Sequence, residues 1–108
     1  MTQKAKQTAK TLKKNNGGVV LLYGEMGAGK TTLVSNIIKY MDKKIKVTSP
    51  TFPIINKYAD NIYHCDLYRV DDFESIGLYD ILEDKNNMVF IEWPKNLEVK
   101  NAVKITLN

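Results

Sequence analysis

Residues Gly24-Glu25-Met26-Gly27-Ala28-Gly29-Lys30-Thr31 follow the spacing G-x-x-x-x-G-K-[ST]. Glycines at these positions let the backbone curl until successive N–H groups face one concavity, which binds an anion. A helix opening behind the loop adds the positive end of its dipole. In that setting Lys30 reaches the β- and γ-phosphates of a nucleotide as a point charge, and the Thr31 hydroxyl is a hard oxygen donor for Mg²⁺. At average residue frequencies the pattern arises by chance about once in 300 chains of this length. Here it also follows an apolar run and precedes a helical pattern, as a phosphate-binding loop must.

Such a loop needs a carboxylate at the end of a neighbouring buried strand to hold the magnesium, directly or through water. Met88-Val89-Phe90-Ile91-Glu92 offers four apolar residues and then an acid, so Glu92 is the expected metal carboxylate. Trp93 follows it, so no second acid stands beside it as a base. That predicts slow hydrolysis, or a base from elsewhere. His64-Cys65-Asp66 closes another predicted strand, and alternation puts His64 and Asp66 on one face with Cys65 on the other. Two ligands do not make a transition-metal site. His64 reads as a hydrogen-bonded structural histidine, and Cys65 as an inert core residue. Asp66 is expected near the nucleotide, on either a magnesium-bound water or the attacking water. Ser49-Pro50-Thr51 is where a γ-phosphate sensor would sit. Arg69 is either an in-cis charge stabiliser or a partner of the acidic stretch that follows it.

The elements that must position these residues can be read from hydrophobic periodicity. Ala5, Ala9 and Leu12 predict a short amphipathic helix over 3–14, stopped by Asn15-Asn16-Gly17-Gly18. Val19 to Tyr23 is a continuous β-prone run, as expected of a strand buried on both faces of a parallel sheet. Gly24 to Gly29 is a turn. Leu33, Val34, Ile37, Ile38 and Met41 fall at helical spacing, which predicts a helix over Thr31 to Tyr40. Ile45-Lys46-Val47 is a strand candidate. Pro53 to Tyr58 and Ile62 to Leu67 read as a hairpin turning at Ala59-Asp60-Asn61. Residues 71–84 predict one or two short helices with a solvated acidic face. Met88 to Ile91 is a second buried strand, and Ala102 to Leu107 a last one. Strands alternating with helices predict an α/β layer fold.

Composition sets the frame. With 108 residues, 44% of them hydrophobic and 26% charged, the chain reads as one globular domain. The first 16 residues hold five lysines and no acid, while residues 17–108 carry a net charge of −1, so the basic character of +4 overall sits in an N-terminal arm. Fifteen of the sixteen basic residues are Lys, accompanied by ten Asn and ten Ile. This pattern is read as codon bias in an AT-rich genome and not as a nucleic-acid surface. No apolar run approaches the roughly 20 residues of a membrane span, and no secretory leader is evident. The single cysteine excludes an intrachain disulfide framework. A cytoplasmic location is expected.

Five segments occur in one order: Gly-Glu-Met-Gly-Ala-Gly-Lys-Thr-Thr (24–32), Ser-Pro-Thr-Phe (49–52), Tyr-His-Cys-Asp-Leu-Tyr-Arg (63–69), Gly-Leu-Tyr-Asp (77–80) and Ile-Glu-Trp-Pro (91–94). Together they resemble the TsaE family (formerly YjeE), the bacterial ATPases of tRNA threonylcarbamoyladenosine synthesis, and the match covers nearly the whole chain. The resemblance implies a P-loop NTPase fold in one domain over 1–108: a compact, mostly parallel sheet with an antiparallel hairpin and flanking helices. It implies slow ATP hydrolysis with Mg²⁺, in support of TsaB and TsaD, which transfer a threonylcarbamoyl group to a tRNA adenosine next to the anticodon. By position, Gly24 to Thr32 hold the nucleotide, Lys30 and Thr31 phosphate and magnesium, and Glu92 the metal. Asp66 and Thr51 line the catalytic side, and Trp93 lies near the nucleotide. Family members usually continue through another strand with an arginine near the nucleotide, whereas this sequence stops at Asn108, which bears on adenine-side contacts and not on the phosphate site.

Other classes fit less well. A small nucleotide or nucleoside kinase clamps its substrates with several lid arginines, and this sequence has one. A GTPase reads guanine with N-K-x-D, and Asn56-Lys57-Tyr58-Ala59 lacks the acid. A nucleotide-binding scaffold without useful turnover is the remaining alternative.

Overall fold

The structure is a computed structural model, which describes residues 2–47 and 54–107. Helix α1 (Thr2–Asn15) leads into β1 (Gly18–Gly24), the glycine loop and α2 (Lys30–Met41). A hairpin of β2 (Ile55–Ala59) and β3 (Ile62–Asp66) follows, then α3 (Leu78–Glu83), β4 (Met88–Glu92) and β5 (Val103–Leu107). The five strands form one sheet in the order β2-β3-β4-β1-β5. β1 runs parallel to both β4 and β5, β3 runs parallel to β4, and β2 pairs with β3 antiparallel. This is the α/β layer fold that the strand and helix order predicted, and the mostly parallel sheet with an antiparallel hairpin that the resemblance to P-loop NTPases implied.

β1 is apolar without interruption because both of its faces are covered. Val20 and Leu22 face a core closed by Ala5, Ala9 and Leu12 of α1 and by Leu33, Val34, Ile37 and Ile38 of α2. Leu21 faces the opposite core, with Cys65, Leu67, Phe73, Leu78, Val89 and Ile91. Each fully buried Leu or Ile contributes about 1.5–3 kcal/mol, so α1 and α2 are fixed to the sheet by their apolar stripes. The glycine loop is thereby held at the C-terminal end of β1.

Two expectations need correction. Ile45-Lys46-Val47 forms no strand. Asp42 closes a turn by accepting the Lys44 N–H on Oδ1 at 3.0 Å, and Ile45 and Val47 then pack against the α1–α2 core without a ladder partner. The hairpin turns on Asp60-Asn61 alone, with Ala59 still in β2 beside an irregularity between Lys57 and Ala59. Residues 71–84 hold one short helix, Leu78–Glu83, within the one or two expected. The Asp72 carboxylate accepts the Glu74 and Ser75 N–H groups, and the Ser75 hydroxyl donates to the Asp72 carbonyl. Those local bonds compete with a helix ladder. Gly77, at φ +77°, then starts α3. The acidic residues of this stretch are exposed, as expected.

Candidate functional site

Parallel strands deliver their C-terminal ends to one rim, where open α/β sheets place ligands. β1 ends at Gly24, β3 at Asp66 and β4 at Glu92. In the ladders Leu22 pairs with Glu92 and Asp66 pairs with Glu92, so the two carboxylate residues and the start of the loop share one edge.

The loop is compact. The Ala28 N–H donates to the Glu25 carbonyl at 3.1 Å, and the Leu33 N–H donates to the Gly29 carbonyl at 2.9 Å as α2 begins. Gly24, Gly27 and Gly29 all have positive φ. A Cβ on Gly24 would lie 2.5 Å from the Leu107 carbonyl oxygen of β5, so the close approach of that strand requires glycine there. Lys30 is buried, and its ammonium donates to the Gly24 carbonyl at 2.6 Å and to the Glu25 carbonyl at 3.0 Å. It also lies 4.3 Å from the centroid of the Trp93 ring. Trp93 takes a left-handed backbone, φ +56°, and the edge of its ring meets Tyr68 with centroids 4.8 Å apart.

Next to Lys30, the Thr31 hydroxyl donates to Glu92 Oε2 at 2.8 Å. The same oxygen lies 2.6 Å from Nε2 of His64, which is wholly buried. The other ring nitrogen of His64, Nδ1, is 3.0 Å from the Tyr58 hydroxyl. Burial pushes the Glu92 carboxyl up, but the hydrogen bonds from His64 and Thr31, with the charges of His64 and Lys30, outweigh it and hold the group below the ordinary glutamate value. Asp66 is half-buried and accepts the Tyr68 N–H on Oδ1 at 2.9 Å.

A cleft of about 420 Å³ is lined by Met26, Gly27, Gly29, Lys30, Thr31, Thr32, Asp66, Glu92 and Trp93. The structure thus brings together nine of the residues singled out from the sequence. Gly24 and Glu25 contribute carbonyl oxygens to Lys30, and Ala28 closes the loop's turn. Thr51 and the rest of the Ser49–Phe52 segment lie outside the described residues. Arg69 is exposed, and among the described residues it neither lines the cleft nor pairs with an acid. Cys65 faces the opposite core from His64, as alternation required.

Tyr58 and Tyr68 were not anticipated. For Tyr68 a signal was available in Asp66-Leu67-Tyr68, since an aspartate two residues ahead commonly accepts the later N–H and turns the chain. For Tyr58 there was none, because the irregular register of β2 fixes which side chain reaches His64.

The donor set suits a magnesium nucleotide. Thr31, Glu92 and Asp66 offer hard oxygens, and Mg²⁺ takes its remaining ligands from water and phosphate. Backbone N–H groups of the loop, the start of α2 and the Lys30 ammonium suit phosphate oxygens.

A family model described as "Threonylcarbamoyl adenosine biosynthesis protein TsaE" matches residues 1–108. The tRNA threonylcarbamoyladenosine biosynthesis protein TsaE of Rickettsia bellii is 44% identical over 96 residues, covering 82% of this chain and 64% of that protein. The protein of the same name from a Nostoc strain is 36% identical over 99 residues, covering 84% and 61%. That of Borreliella burgdorferi is 38% identical over 85 residues, covering 73% and 61%. The chain therefore spans about three-fifths of the length of these curated relatives. Among solved structures, Bacillus subtilis YdiB aligns with a TM-score of 0.57 at 23% identity, covering 98% of this chain and 70% of that one. That likeness bears on the fold.

Proposed function

The chain belongs to the TsaE family of threonylcarbamoyladenosine biosynthesis proteins, and from that premise we propose that it binds ATP with Mg²⁺, hydrolyses it slowly, and thereby supports threonylcarbamoyl transfer to tRNA by TsaB and TsaD. It is not itself the transferase, and it works in the cytoplasm. The observation that carries this reading is the convergence of Lys30, Thr31, Asp66 and Glu92 on one cleft at the strand ends.

Each residue has a task there. The N–H groups of Gly24 to Thr32 and the Lys30 ammonium bind and orient the phosphates. Thr31 and Glu92 would hold the magnesium, which would supply charge neutralisation for the phosphates. Asp66, two strands from β1 but on the same rim, orients water toward the γ-phosphate. Trp93 covers the phosphate side and limits water. Thr51 stays the candidate γ-phosphate sensor from the sequence alone. Hydrolysis is slow because no acid follows Glu92 and because the one arginine, Arg69, is exposed away from the cleft. An arginine in the transition state is worth about 10³–10⁵ in rate.

Two measurements test the reading. Lys30→Ala should weaken ATP binding well beyond twofold, and an effect under twofold, about 0.4 kcal/mol, would mean the site is elsewhere. In reconstitution with TsaB, TsaD and tRNA, the wild-type chain should give multiple rounds of modification and Asp66→Ala should not. Turnover by the lone protein at about 10 s⁻¹, a typical enzyme rate, with no response to the partners, would sink the support role.

A further inference from the structure

We propose that His64 is a positioning residue for the Glu92 carboxylate, and through it for magnesium. The inference rests on the reading of Thr31 and Glu92 as the metal side of the cleft. His64 is wholly buried in the middle of β3, where an aliphatic residue would bury its surface without the cost of desolvating two ring nitrogens. What the imidazole adds is direction. His64 pairs with Phe90 and Asp66 with Glu92 in the β3–β4 ladder, so His64 stands diagonally one step deeper than Glu92 on the same face. A diagonal neighbour lies within reach of a long side chain, and Nε2 meets Oε2 at 2.6 Å.

The network fixes the proton. Oε2 accepts the Thr31 hydroxyl at 2.8 Å and lies 2.6 Å from Nε2, so the ring nitrogen facing this carboxylate oxygen is the one that bears the hydrogen. Nδ1 is engaged by the Tyr58 hydroxyl at 3.0 Å, which stops the ring from turning over. Thr31 donates to the same Oε2 from α2, across the cleft from the sheet. Hydrogen bonds from two elements therefore clamp one oxygen of Glu92. The carboxylate is oriented before any ion arrives, in the way that groups behind metal ligands commonly set ligand geometry. A chain of Tyr58, His64, Glu92 and Thr31 links β2, β3, β4 and α2 at the rim.

The test is calorimetric titration with ADP, first in EDTA and then over a series of Mg²⁺ concentrations. His64→Leu should raise the Mg²⁺ needed for half-maximal enhancement of ADP binding by about 10–100-fold, while affinity in EDTA stays within about twofold. His64→Gln keeps an N–H donor and should recover most of the loss. Tyr58→Phe, which removes one hydroxyl, should shift the Mg²⁺ requirement by about threefold and serves if His64→Leu does not fold. A folded His64→Leu protein with wild-type Mg²⁺ dependence overturns the proposal. So does an equal fall with and without metal that glutamine does not rescue, and so does an unshifted Tyr58→Phe where that variant stands in. Glu92→Gln separates the two readings. If it shifts the Mg²⁺ requirement while His64→Leu does not, only the positioning role is lost. If it shifts nothing, the metal reading fails and takes the positioning role with it.

Discussion

The Lys30 ammonium stands 4.3 Å from the centre of the Trp93 ring while donating to two carbonyls of its own loop. A cation over an aromatic face is worth about 0.5–2 kcal/mol, a modest hold. Phosphate oxygens entering the cleft compete for the same ammonium with a stronger, charge-assisted bond. Trp93 is the one tryptophan of the chain, so its emission reports on that exchange without labelling. Nucleotide titration should change Trp93 fluorescence with the same midpoint as calorimetric binding. Binding seen by calorimetry with unchanged emission would separate the ring from the phosphate site.

Glu92 gives a pH dependence with a definite sign. Its folded carboxyl titrates below the ordinary value, with burial opposing and the His64 and Thr31 bonds and nearby cations prevailing. In the window between the two values the unfolded chain binds more protons than the folded one, so stability rises with pH there. The contribution is fully present above the unfolded value, about 4.3, and is lost as pH falls through the folded one. Urea unfolding in magnesium-free buffer between pH 7 and pH 3 should show a steeper acid loss for wild type than for Glu92→Gln. Parallel curves would mean that the bonds to Glu92 do not favour its charged form.

Much of this site was legible because local chemistry dictated it. The P-loop declares itself by glycines at left-handed positions that other residues adopt only at a cost, and Glu92 by the apolar run that buries β4. Asp66 and His64 followed from strict alternation in a buried strand. What stayed hidden depends on tertiary register. Nothing local says that Tyr58 meets His64, since an irregular hairpin sets that meeting. Nothing local says that Ile45 and Val47 pack as side chains without joining a sheet, since a three-residue apolar alternation serves either role. The acidic stretch holds one of the one or two short helices expected, and Asp72 and Ser75 satisfy backbone groups themselves ahead of it.

Two of the three loop glycines, Gly24 and Gly27, should respond differently to a methyl group. Gly27, at φ +84°, has nothing within 4 Å of where a Cβ would stand. Gly27→Ala therefore costs only the left-handed backbone, about 1–2 kcal/mol. Gly24, at φ +148°, would set its Cβ 2.5 Å from the Leu107 carbonyl oxygen. Backbone cannot swing aside as a side chain can, so Gly24→Ala adds the separation of β1 from β5 to the strain. Thermal unfolding should rank Gly24→Ala well below Gly27→Ala, and equal midpoints would contradict the close approach.

Cys65 should behave as a core residue that happens to carry sulfur. It is wholly buried between its ladder partners Ile55 and Ile91, in the core on the face away from the cleft, and burial pushes its thiol from 9.0 up to about 12. The thiolate is the reactive form, so a disulfide reagent at pH 8 should modify the native chain only as fast as it opens, and modify it at once in denaturant. The sign of the linkage gives a second readout. A group whose value is raised on folding stabilises fully below its unfolded value and loses that contribution as pH rises toward the folded one, because only the unfolded chain sheds the proton. Cys65→Ala leaves a small cavity and should be less stable than wild type at pH 7 by about 1 kcal/mol. That gap should narrow steadily above pH 9, since the variant has no thiol to ionise on unfolding. A constant gap up to pH 11, or rapid native labelling, would place Cys65 nearer to solvent than its place in the core with Leu67, Leu78 and Ile91 allows.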